Sequence, residues 1–77
     1  MKVKRITGTG DYLNVDFGDR SVRMTGELLI NGFVVYKGGV RKWTVPEGKT
    51  VTEEELKEIK GAVAEYVKDK KFVIAFE

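Results

Sequence analysis

The sequence predicts an α+β domain: a small antiparallel sheet of about five to six strands, one amphipathic helix packed on one face, and a C-terminal strand after the helix. Three observations carry that reading. Residues 1–45 show short stretches of alternating apolar and polar residues separated by glycine-containing turns. Residues 52–67 change to helical spacing behind a capping signal. Phe72–Phe76 then returns to unbroken apolar chain, the pattern of a strand buried on both faces. Strands, then one helix, then one strand is the order expected of a sheet with a single helix across it. The 77 residues make one domain, 1–77.

Lys2–Thr7 is a short basic segment with Val3 and Ile6 as its apolar members, expected as an edge strand. Gly8–Asp11 is a turn. Its Gly-Thr-Gly lacks the third glycine and lysine of a phosphate loop. In Tyr12–Phe17, Leu13, Val15 and Phe17 point one way and Tyr12, Asn14 and Asp16 the other. Gly18-Asp19-Arg20 connects to Ser21–Thr25, where Val22 and Met24 face inward. The spacing of Asn14, Asp16 and Asp19 does not fit a calcium loop. Gly26 is read as a kink or bulge before a separate strand, Glu27–Ile30. Asn31-Gly32 predicts a type I′ hairpin with positive φ at both residues, leading into Phe33–Tyr36. Val40–Val45 is the next strand, with Arg41 and Trp43 on one side and Val40 and Lys42 on the other, and Pro46 ends it.

The helix begins with a capping box. Thr52 and Glu55 can each accept from the other's backbone N–H, and Val51 and Leu56 fit a hydrophobic staple. The apolar stripe is Leu56, Ile59, Val63, Tyr66 and Val67. Glu53, Glu54, Glu55 and Glu58 complement the N-terminal end of the helix dipole; Lys68, Lys70 and Lys71 complement the other end. Gly61 costs about 1 kcal/mol relative to alanine in a helix interior, which suggests close packing of Gly61 and Ala62 against the sheet.

The residue inventory narrows the chemistry. There is no cysteine and no histidine. That removes disulfides, thiolate ligands and any nucleophile activated by histidine within the chain. No metal and no cofactor are expected, and the glutamates of the helix start read as caps. An enzyme is not expected. The start MKVKRITGTG holds no long apolar run, and no stretch reaches the roughly 18 apolar residues of a membrane span, so a cytoplasmic protein is expected. The net charge of +2 is unevenly placed: residues 1–50 carry nine Lys or Arg against five acids, and residues 51–77 carry five against seven. A basic sheet face that meets an acidic partner or a phosphate backbone is one reading. Ordinary solvated faces are the other.

The stretch richest in binding residue types is Tyr36–Trp43. Tyr36, Lys37, Arg41, Lys42 and Trp43 combine aromatics and cations, the composition of interface hot spots and of single-strand nucleic-acid binders. Trp43 can instead plug the core under the helix.

The run Gly26-Glu27, then Gly32-Phe33-Val34-Val35-Tyr36, then Trp43 and Pro46, followed by an acidic-capped helix and an apolar last strand, resembles the immunity protein 74 family over about residues 20–77. Such proteins are predicted to be encoded beside bacterial polymorphic toxins and to neutralise them. The resemblance implies a non-catalytic inhibitor that binds a protein partner. Chain length leaves monomer or homodimer open, and the lack of a long apolar run predicts no membrane association. A small nucleic-acid-binding or self-associating structural domain is the alternative.

Overall fold

A computed structural model describes all residues, Met1–Glu77. Six strands and one helix follow in the order β1 (Arg5–Gly8), β2 (Tyr12–Asp16), β3 (Ser21–Leu29), β4 (Gly32–Val35), β5 (Trp43–Val45), α1 (Glu53–Val67) and β6 (Val73–Phe76). The sheet order is β1-β2-β3-β4-β6, with β5 paired to β3 off this path. All pairs are antiparallel except β4 with β6, which run parallel. The sheet is therefore mixed, and its parallel pair is the one joined through the helix, as parallel neighbours require a long connection.

The core lies between the sheet and α1. Leu13, Val15 and Phe17 face it from β2 and its end, Val22 and Met24 from β3, Phe33 and Val35 from β4. Ile59 and Val63 of α1 close it, and Trp43 and Val3 complete it at the ends. The period-two alternation of β2 and the first half of β3 is thus the alternation between core and solvent.

Strand β3 corrects one expectation. Ser21–Leu29 is a single strand of nine residues with no break at Gly26. Residues 21–25 pair β2, residues 26–29 pair β4, and β5 pairs Ser21 and Val22. Gly26 marks the change of neighbour. A Cβ there would collide with the Val34 carbonyl oxygen and crowd the Phe33 ring, so close approach is what calls for glycine. The hairpin after it also differs from expectation. The turn residues are Ile30 and Asn31, with Leu29 opposite Gly32, and no non-glycine residue has positive φ. Gly32 belongs to β4 and is needed because a Cβ would meet the Val73 backbone of β6.

The last strand is corrected as well. β6 lies at the edge, not the centre, and its exposure alternates. Ile74 and Phe76 are half-buried towards α1, whereas Val73 is 66% exposed. Its apolar outer residues join Leu29 and the turn residue Ile30 as exposed apolar side chains around the β3–β4–β6 end of the sheet. Gly61 is solvent-facing, with nothing within 4 Å of where a Cβ would stand, so close packing does not explain it.

The capping box forms as expected. Glu55 N–H donates to Thr52 Oγ1 at 3.1 Å and Thr52 N–H to Glu55 Oε1 at 3.0 Å. The last helical turn holds no basic residue. Lys70 reaches back from beyond it, donating from Nζ to the Tyr66 carbonyl at 3.2 Å.

Candidate functional site

The segment between β4 and β5 is where the candidate residues gather. It is a closed loop: Gly39 N–H donates to the Tyr36 carbonyl at 2.8 Å, and Arg41 Nε donates to the Gly38 carbonyl at 2.9 Å. Gly38, at φ +78°, provides the left-handed residue that this turn needs. The loop is tied to the sheet on one side, by Tyr36 N–H to the Thr25 carbonyl at 3.0 Å and Thr25 N–H to the Gly39 carbonyl at 3.1 Å. It is tied to the helix entry on the other, by Val51 N–H to the Arg41 carbonyl at 2.9 Å. Lys37 N–H donates to Glu77 Oε1 at 3.2 Å.

This geometry separates the five candidates. Tyr36, Lys37, Arg41 and Lys42 are exposed on the loop. Trp43 is 3% exposed and belongs to the core. The extended reading that put Arg41 and Trp43 on one side fails because the loop turns between Tyr36 and Arg41. Beside the loop lies a shallow depression of about 260 Å³, floored by Val35, Val40, Leu56 and Phe76 and edged by Tyr36, Lys37, Lys60 and Glu77. Lys60 Nζ sits 5.4 Å from the centre of the Phe76 ring. A volume this small falls below the usual range for small-molecule and cofactor sites and suits a single protruding side chain.

Trp43 is held from three directions. Phe17 meets it edge-on, with ring centres 6.0 Å apart and planes at 71°. The Arg20 guanidinium lies 4.8 Å from the indole centre, within cation–π range. The indole Nε1–H donates to Glu55 Oε1 at 3.4 Å, and Arg20 Nη1 donates to Glu55 Oε2 at 2.9 Å. Glu55 thus caps the helix, satisfies the tryptophan and pairs with the arginine. Its pKa is lowered below the ordinary glutamate value, chiefly because its carboxylate accepts the Thr52 backbone N–H. The bonds from Trp43, Thr52 and Arg20 act in the same direction, and partial desolvation opposes them. Sequence reasoning found Glu55 as a cap but not its links to Arg20 and Trp43, which are 35 and 12 residues away. The signal available was a lone tryptophan in a small chain, which needs a partner for its N–H when buried.

No group of three His, Cys, Asp or Glu is placed to hold a metal ion. No helix is long and apolar enough to cross a membrane. A family model described as Immunity protein 74 matches residues 5–77. Searches of curated proteins and of solved structures return no significant match.

Proposed function

The chain belongs to the immunity protein 74 family, and from that premise we propose that it neutralises a bacterial toxin in the cytoplasm by binding it directly, without chemistry of its own. The observation that carries this reading is the family match, which spans essentially the whole chain. The residue inventory supports it: with no histidine and no cysteine, the side chains most used for acid–base and nucleophilic catalysis near neutral pH are missing.

The surface we assign to the partner is the loop face of Tyr36, Lys37, Arg41 and Lys42. These residues are exposed on a backbone fixed at both ends, so little ordering is required on binding. Three cations beside an aromatic suit an acidic surface with a protruding side chain that enters the depression. Trp43 follows the loop in sequence but is buried in the core and is not part of this surface.

The test is survival of cells that express the toxin domain encoded beside this gene, with and without this protein. Rescue is expected. The double reversal Lys37→Glu/Lys42→Glu, at two side chains with no intramolecular bond, is expected to weaken rescue and to slow association at low salt. Killing without rescue by the unmodified protein refutes the inhibitor reading. Full rescue by the folded double variant removes the loop as the contact surface.

A further inference from the structure

The outer edge of β6 is open. β6 bonds only to β4, so its other side presents free backbone groups. The bonds from Val73 N–H to the Asn31 carbonyl and from Glu77 N–H to the Val35 carbonyl show which residues turn towards β4. Backbone groups alternate along a strand, so those of Ile74 and Phe76 turn outward. An edge of this kind is usually guarded by proline, a bulge or a charge within the strand. Val73–Phe76 contains none of these.

We propose that this edge forms a symmetric antiparallel pair with β6 of a second copy, centred on Ile74. Two features select that register. First, the outward backbone groups belong to even-numbered residues, so even must oppose even and the centre falls on a residue, not between two; on Ile74 it opposes Ile74 with Ile74 and Phe72 with Phe76 of the second copy. Second, it places Lys71, before the strand, opposite Glu77 of the second copy, at both ends by symmetry. Both side chains are exposed, and Lys71 makes no ion pair within its own chain. Shifting the centre to Val73 would instead oppose Asp69 and Glu77, two like charges, and centring on Ala75 would set Glu77 against the apolar Val73. Glu77 uses one oxygen for the Lys37 N–H, and a carboxylate has capacity for a second donor. On the outer face, Val73 would cover Ala75 of the second copy, extending the apolar surface around Leu29.

A four-residue edge makes a small interface, so association is concentration-dependent and weak. Sedimentation velocity on the full chain from about 10 µM to about 1 mM spans the corresponding affinity range. A monomer–dimer equilibrium is expected. Lys71→Glu and Glu77→Lys should each weaken dimerisation by about tenfold or more, and the double exchange Lys71→Glu/Glu77→Lys should restore it. Unchanged tryptophan fluorescence and circular dichroism establish that the variants are folded. A wild type that stays monomeric at about 1 mM overturns the self-pairing and leaves the edge to a foreign strand. Single reversals without effect, or a double exchange without recovery, overturn the register. Oligomers that grow beyond the dimer show head-to-tail pairing instead and also overturn it.

Discussion

Replacing Gly61 by alanine should stabilise the domain, and the structure allows the size of the effect to be worked out. Gly61 is interior to α1, faces solvent, has no positive φ and has nothing within 4 Å of the position a Cβ would take. The added methyl therefore meets no obstacle. What remains is the difference in helix propensity, about 0.8–1.0 kcal/mol, which reflects the freedom glycine loses on folding. Globular domains unfold with an entropy of about 2.1 cal/mol/K per residue. For 77 residues that is about 0.16 kcal/mol/K, so a gain near 1 kcal/mol raises Tm by about 6 °C. Thermal unfolding followed by circular dichroism, and independently by fluorescence of the buried Trp43, measures it. An unchanged or lowered Tm would refute the reasoning and show that the solvent-facing side of α1 is constrained by something other than its neighbours in this chain. Gly26→Ala is the contrasting control. Its methyl would collide with the Val34 carbonyl, and overpacking of this kind costs about 1–3 kcal/mol.

Ile30 is 98% exposed at the tip of the β3–β4 hairpin, so Ile30→Ser should alter stability by less than about 0.5 kcal/mol, as measured by urea denaturation; a larger loss would mean that the turn side chain is buried in solution. The pH dependence follows from Glu55. Its folded pKa is lowered, so its contribution is fully present above the ordinary glutamate value of about 4.3 and is lost as pH falls through the folded value. Unfolding titrations at a series of acidic pH values should therefore show a steeper loss of stability in the wild type than in Glu55→Gln, and equal slopes would contradict the assigned bonds.

The parts of the fold that local chemistry dictates were legible in the sequence. Thr52 and Glu55 specify a helix start because both partners lie within one turn, and they form the expected pair of bonds. Leu13, Val15, Val22 and Met24 specify faces because a strand alternates with a fixed period. What was not legible depends on contacts distant in sequence. Phe72–Phe76 is apolar on both faces, which suits a central strand equally well. Its edge position is decided by parallel pairing with β4, and its outer residues stay exposed among Leu29 and Ile30. Gly26 reads as a break but serves the close approach of β4, which nothing within residues 21–30 reveals. Asn31-Gly32 reads as the hairpin turn. The loop forms one residue earlier because Gly32 is required opposite Val73. At the candidate site, composition singled out the loop cations and Tyr36. It could not show that Trp43 turns inward, because that depends on Phe17, Arg20 and Glu55 converging on the indole.

That inward position makes Trp43→Phe the substitution that separates support from contact. Phenylalanine keeps a ring in the core beside Phe17 but cannot donate to Glu55, and it leaves space where the larger indole was. Loss of one net hydrogen bond, about 0.5–1.5 kcal/mol, and a small cavity term should lower stability measurably without unfolding the domain. The loop's own ties, the backbone bonds with Thr25 and Val51 and the Lys37 N–H bond to the Glu77 carboxylate, are not made by the Trp43 side chain and survive the substitution. If Trp43 acts only within the core, binding to the proposed toxin partner measured well below the variant's Tm should be unchanged, while Lys37→Glu/Lys42→Glu should weaken it. The reverse pattern, a folded Trp43→Phe that no longer binds beside a double reversal that binds normally, would require the indole to leave the core and reach the partner. The bonds to Glu55 and Arg20 would then be a closed state that binding has to open.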